Sequence, residues 1–198
     1  MDELILTQQT RAYFDNLAPT WDEITNHNAD KLRLITELAA PAAGSNLLDI
    51  GCGTGVMIGP LLATAPAKLL ALDLSPRMIE QAAQKYRDPR LRLLNEDFFA
   101  LKENGFDLAL FYSVYPHFLN KEHLIRQTSR CLVPGGRFMV AHSESKETIN
   151  NRHRGTAAQM LSQPLREVEQ EAKMWRKYFQ IDILIDTRQL YVFSGLRI

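Results

Sequence analysis

An apolar run, an acid and three alternating glycines stand together in Leu47-Leu48-Asp49-Ile50-Gly51-Cys52-Gly53-Thr54-Gly55. Glycine has no Cβ, so this pattern predicts a strand that stops, turns tightly and lets another group approach the backbone. A helix is expected to follow from about Val56, with its free N–H groups directed at the turn. Such a turn, at the carboxyl end of a strand in an open α/β sheet, holds nucleotide-type ligands. The dinucleotide fingerprint spaces its glycines G-x-G-x-x-G; here the third comes one place early, and Val56 stands where Gly or Ala belongs. Two more acids follow. Asp73 ends a second apolar run, where a carboxylate can accept two hydrogen bonds from a ribose diol. Asp97 follows a third, after Asn95-Glu96 and beside Phe98 and Phe99, a combination that can bond an adenine amino group and pack on its face. The plainer alternatives are a turn that binds nothing and an acid placed for a helix dipole.

These residues need alternating strands and helices to position them. Residues 7–17 read as a helix broken at Ala18-Pro19-Thr20-Trp21-Asp22. Residues 28–40 read as a second, with Leu32, Ile35, Leu38 and Ala39 on one face, closed by Pro41 and Gly44. Strands are expected at 47–50, 68–72, 91–94, 106–111 and 137–141. Helices are expected at 56–64, at 76–87 with Ser75 as cap and Pro76 in the first turn, and at 121–131. Pro134-Gly135-Gly136 reads as a turn. Residues 166–177 read as a helix, and 180–185 and 190–196 as an antiparallel hairpin around Asp186-Thr187-Arg188. Near-continuous apolar strands alternating with helices indicate a parallel sheet covered on both faces.

Acid-x-Gly-x-Gly-x-Gly resembles the first motif of the class I S-adenosylmethionine (SAM) methyltransferases, whose loop passes close to the methionine part of SAM. The resemblance runs in order over residues 46–141: Asp49 with the glycines, Asp73, Asp97 and Phe111-Tyr112 at four successive strand ends, then Pro134-Gly135-Gly136-Arg137-Phe138 as the family's turn before strand five. It implies a Rossmann-like doubly wound α/β fold, a seven-stranded mostly parallel sheet with a C-terminal antiparallel hairpin. It also implies SAM as cofactor, held by Asp49, Gly51, Gly53, Gly55, Asp73, Leu74, Met78, Asp97, Phe98, Phe111 and Tyr112. Tyr13-Phe14-Asp15 followed by Trp21-Asp22 is similar to the N-terminal segment of the quinone-biosynthesis methyltransferases, which folds over cofactor and substrate as a lid. That puts Tyr13 and Trp21 on the substrate side; ordinary packing is the alternative. The expected organisation is one domain over 1–198, with a lid at 1–44, a cofactor core at 45–144, and substrate-side helices and the hairpin at 145–198.

Strand four continues Phe111-Tyr112-Ser113-Val114-Tyr115-Pro116 and lacks the Asn-Pro-Pro-aromatic signature of methyltransferases that act on DNA, RNA and protein amide nitrogens. This favours a small-molecule acceptor. His117 stands where many relatives place a histidine after strand four, and packing or loop bonding is its expected role. His142 and Glu144 follow strand five, Ser145 can cap a helix that Gly155 ends, and on it Lys146, Asn150 and His153 share a face. Three readings compete: a solvated helix with Arg152, His153 and Arg154 at its C-terminal dipole, a metal site from His142, Glu144 and His153, or an acceptor-pocket wall with His142 and His153 as binding groups or base and with His117 and Asn150, beside Tyr13 and Trp21, as further substrate contacts. No metal is assigned. A non-catalytic SAM-binding or partner-binding relative and an NAD-dependent dehydrogenase remain as alternatives.

The chain's 198 residues are 45% hydrophobic and 23% charged, which suits one compact domain, and the formal net charge of zero argues against a broad basic face for nucleic acid. Met1-Asp2-Glu3 is acidic where a signal peptide needs positive charge, and no run approaches the ~20 apolar residues of a membrane span. Cys52 and Cys131 share no metal-ligand spacing. A cytoplasmic protein with free thiols is expected.

Overall fold

The computed structural model describes residues 3–198. Its centre is a seven-stranded sheet in the order β3-β2-β1-β4-β5-β7-β6. The strands are β1 (Asn46–Ile50), β2 (Lys68–Asp73), β3 (Leu91–Asn95), β4 (Phe106–Tyr112), β5 (Leu132–His142), β6 (Phe179–Asp186) and β7 (Tyr191–Arg197). β1 to β5 pair in parallel, while β7 runs antiparallel between β5 and β6. The expected fold class is thus borne out, including the terminal hairpin.

Side-chain alternation along the strands divides the core in two. On one face Leu48, Ile50, Leu70, Phe111 and Val140 pack with Leu124 and Ile125 of α6 (Lys121–Cys131) and with Ala172 and Trp175 of α8 (Val168–Trp175). Ile149 of α7 (Lys146–His153) joins the same layer. On the other face Leu47, Leu69, Leu110 and Met139 pack with Leu32, Ile35 and Ala39 of α3 (Ala29–Ala39), and with α4 (Ile58–Ala63) and Ala82 of α5 (Pro76–Lys85). Chain order reverses about β1, which pairs with β2 on one side and β4 on the other. The carboxyl ends of β1 and β4 therefore flank a topological switch point, where such sheets bind ligands.

Several boundaries differ from expectation. The helix after β1 begins at Ile58, because three positive-φ glycines and the turn bonds Gly55 N–H to Cys52 O and Ile58 N–H to Gly55 O occupy the chain through Met57. The helix after β2 ends at Lys85. Pro134-Gly135-Gly136 lies within β5: pairing jumps from Phe106–Leu132 to Leu108–Arg137, so the segment bulges while pairing continues. The chain at 18–22 stays helical, as a 3-10 turn (Ala18–Thr20) and α2 (Trp21–Ile24) after α1 (Glu3–Leu17). Among the described residues, no helix is long and apolar enough to cross a membrane.

Candidate active site

A cavity of about 670 Å³ opens at the switch point, roofed by α1, α2 and the segment after them. Its floor is the glycine loop, but the three glycines do different work. A Cβ on Gly51 (φ +65°) would run into the Val114 side chain. One on Gly55 (φ +93°) would sit 2.8 Å from Ile58 and 2.9 Å from Tyr86. At Gly53 (φ +54°) the nearest atom is Trp21 Nε1 at 3.8 Å. Gly51 and Gly53 line the cavity; Gly55 does not, and its requirement is helix packing. The expectation of Gly55 as a cofactor contact is corrected accordingly.

Asp49 is 1% exposed, and its Oδ2 has no hydrogen-bond partner among the described residues. Burial, reinforced by the Asp73 carboxylate, pushes its pKa up to about 7. Asp73 accepts the N–H of Gly53 at 2.9 Å and that of Ser75 at 2.8 Å, which tie the ends of β1 and β2 to one carboxylate. Burial still holds it up at about 6, against those two donors. A carboxylate offers about four acceptor sites, so lone pairs remain for a diol. Asp97 accepts the Phe99 N–H at 2.9 Å through Oδ1 and borders the same space, as do Leu74, Met78 and Phe98. Phe111 does not: it is fully buried on the opposite sheet face, its ring against Phe98, Phe118 and Trp175. Strand alternation removes it from the cavity and puts its neighbour Tyr112 there.

The same cavity is lined by Tyr13, Trp21, Tyr112, His117, His142 and His153, as well as His27, Ser143, Glu144 and Arg152. His117 donates from Nδ1 to the Leu161 carbonyl at 3.0 Å, and burial lowers its pKa to about 4. Its ring meets Phe14 of the lid edge-on at 5.0 Å and lies 5.1 Å from that of His153. His142 is 1% exposed with both ring nitrogens unpartnered among the described residues; burial, helped by its basic neighbours, takes it down to about 3. His153 is likewise lowered by burial, and its Nδ1 is unpartnered. Arg152 donates to both oxygens of Glu144, at 2.7 and 2.6 Å, so the carboxylate of the alternative metal set is already paired with a cation.

Asn150 is outside the wall. It donates to the Leu165 carbonyl at 2.9 Å and accepts the Leu165 N–H at 2.8 Å, so both ends of its amide are used in holding the chain before α8. Lys146, on the same face, pairs with Glu167 at 2.6 Å and Asp186 at 3.1 Å. Through Lys146 and Asn150 that face of α7 fastens the C-terminal segment, while His153 at its end borders the cavity.

The N-terminal helices α1 and α2 are fixed to the floor by two carboxylates. Asp15 accepts the Ser75 hydroxyl at 2.6 Å. Asp22 accepts the Thr54 hydroxyl at 2.5 Å and pairs with Lys85 at 2.7 Å. His27 and Ser143 carry no motif that the sequence could flag. Each reaches the cavity through the end of an element, after α2 and after β5.

Residues 48–140 match the family described as "Methyltransferase domain". The 27-O-demethylrifamycin SV methyltransferase of Amycolatopsis mediterranei is 29% identical over 146 residues, covering 71% of this chain and 53% of that protein. The malonyl-[acyl-carrier protein] O-methyltransferase 1 of Ilyobacter polytropus is 36% identical over 89 residues, 42% of this chain and 32% of that protein. The chain thus spans about half or less of the length of these curated relatives. The TehB-like SAM-dependent methyltransferase of Corynebacterium glutamicum superposes with a TM-score of 0.68 at 18% identity, over 94% of this chain and 99% of that one, and so shares its fold. With its strand order, its glycine loop and its ordered acids, the chain belongs to the class I SAM-dependent methyltransferases.

Proposed function

We propose that this protein binds SAM in the cavity against the glycine loop and transfers its methyl group to an oxygen of a small molecule held beside the cavity's imidazoles and hydroxyls. The observation that carries the reading is one continuous cavity whose lining combines two sets of groups. The first is the glycine backbone at Gly51 and Gly53, the unpartnered buried carboxylate of Asp49, and the acids Asp73 and Asp97. The second is aromatic rings, hydroxyls and neutral imidazoles.

Asp49 suits the ammonium of the methionine part, because a buried carboxylate with an unused oxygen gains most from a cationic partner. Asp73 suits the ribose diol, and Asp97 with Phe98 the adenine. Bound SAM would supply an electrophilic methyl on a sulfonium. The protein's own task is then to orient an acceptor in line and keep water out. The lid residues Tyr13 and Trp21 would close the cavity, and His142 and His153 would give the acceptor hydrogen-bonding partners. The relatives' names favour oxygen as acceptor atom. Two free, buried cysteines agree with a cytoplasmic location.

The test is transfer of tritiated methyl from SAM into a small-molecule cell extract, followed by isolation of the labelled product. A labelled methyl ether or ester supports the reading. Label recovered only in protein or nucleic acid, or no transfer by a protein that binds SAM, contradicts it.

A further inference from the structure

We infer that Ser143, Tyr112 and His27 form a one-way proton relay serving an acceptor hydroxyl in the cavity. The inference rests on the methyl-transfer reading and adds the acceptor's chemical class, a neutral hydroxyl. The three side chains come from three places: the residue after β5, the last residue of β4, and the segment after α2 of the lid. All three line the cavity. The Tyr112 hydroxyl lies 2.8 Å from Ser143 Oγ and 2.9 Å from His27 Nδ1. It has one proton for two partners, so it donates to one and accepts from the other.

The relay takes the His27 tautomer with its proton on Nε2. Burial raises the Tyr112 pKa, so its hydroxyl keeps its proton. Burial lowers that of His27, so its imidazole is neutral at neutral pH and can present a lone pair at Nδ1. Tyr112 then donates to His27, Ser143 donates to Tyr112, and the free lone pairs of Ser143 Oγ await a donor in the cavity. Lys31 Nζ fixes Ser143 by donating to its carbonyl at 2.8 Å.

The charged groups around His27 suit a transient cation. Asp22 on α2 and Glu144 after β5 favour its protonation, while Lys85 on α5 and Arg152 on α7 oppose it. Both cations are themselves paired, with Asp22 and Glu144 respectively. The other histidines serve less well. His117 Nδ1 is committed to Leu161, and His142 has no hydrogen-bonded path away from it.

In the step, the acceptor oxygen bonds to the methyl carbon while the carbon–sulfur bond breaks and leaves its electron pair on sulfur. The hydroxyl proton moves to Ser143 Oγ, the Ser143 proton to Tyr112, and the Tyr112 proton to His27 Nδ1. Positive charge leaves the sulfonium and appears on the imidazolium. His27 is half-buried, and it returns the proton to solvent.

The test uses the full chain with ¹⁵N-labelled histidine, with and without S-adenosylhomocysteine. Two-bond ¹H–¹⁵N spectra should place the neutral His27 proton on Nε2. Tyr112→Phe should shift the Nδ1 resonance toward that of a nitrogen without a hydrogen bond. In the extract assay, His27→Gln and Tyr112→Phe should each lower transfer at least tenfold with S-adenosylhomocysteine affinity within twofold. His27→Gln should also lose the acidic limb of the pH–rate profile. A proton on Nδ1, full activity of His27→Gln, or a methylated amine as product overturns the relay. Failure of the wild-type protein to bind S-adenosylhomocysteine counts instead against methyl transfer itself.

Discussion

Asp49 is the residue on which the cofactor site turns. Its carboxyl titrates near neutrality because burial and Asp73 both oppose its charge. A cation set against its free Oδ2 reverses that balance and drives the proton off. Calorimetry at pH 6.5 in buffers of different ionisation enthalpy should therefore show proton release when S-adenosylhomocysteine binds. The release should vanish above pH 8 and in Asp49→Asn. Asp73→Ala should weaken binding by about 1–3 kcal/mol, the value of hydrogen bonds to a charged group, measured by the same titration. The sequence made these acids legible because each lies at the carboxyl end of an apolar strand, Asp49 one residue before the end of β1 and Asp73 at the end of β2, and so must emerge at the same sheet edge. It did not separate the glycines: that Gly53 faces the cavity while Gly55 faces Ile58 and Tyr86 depends on a helix that starts two residues later than its pattern suggests.

At the scale of elements, the glycine loop and the lid make opposite predictions. Gly55→Ala forces a Cβ into Ile58 and Tyr86 and should cost more stability than Gly53→Ala, which meets only backbone strain of roughly 1 kcal/mol. Gly53→Ala should instead weaken ligand binding; paired urea melts and calorimetric titrations check the split. The lid's Asp22–Lys85 pair is half exposed and contributes at most about 1 kcal/mol to folding. Its importance lies in joining α2 to the floor through Thr54 and α5. Asp22→Ala should leave the melting temperature within a few degrees yet speed ligand release several-fold. Stopped-flow fluorescence of Trp21 reads this, since the other tryptophan, Trp175, is fully buried in the far core layer. The N-terminal aromatic cluster around a helix was legible, whereas His27 was not, because nothing in its neighbours' spacing marks a cavity residue. Asn150 misled for a related reason: helical spacing puts it on the face of Lys146 and His153, but the returning chain at Leu165 takes up its amide.

The whole molecule buries neutral imidazoles and raised carboxylates around one cavity, and their pH dependences have opposite signs. His142 has a folded pKa of about 3, below its unfolded value near 6.5. Its contribution to stability is present above pH 6.5 and is lost as pH falls toward 3. Asp49 and Asp73 are raised, so theirs is present below the unfolded carboxylate range and lost as pH rises through about 6 and 7. Replacing His142 by Leu removes one side of the balance. The stability difference between the two proteins should move in the variant's favour by on the order of 1.4 kcal/mol per pH unit from 6.5 to 4, as urea melts at several pH values would record. The account as a whole stands on the identity of the ligand at the switch point, and the most direct measurement is isothermal titration of the wild-type chain with S-adenosylhomocysteine and, separately, with NAD. One S-adenosylhomocysteine should bind per chain, its affinity cut by Asp49→Asn and Asp73→Ala, with no heat from NAD. NAD binding in its place, or S-adenosylhomocysteine binding that both variants leave unchanged, would contradict it.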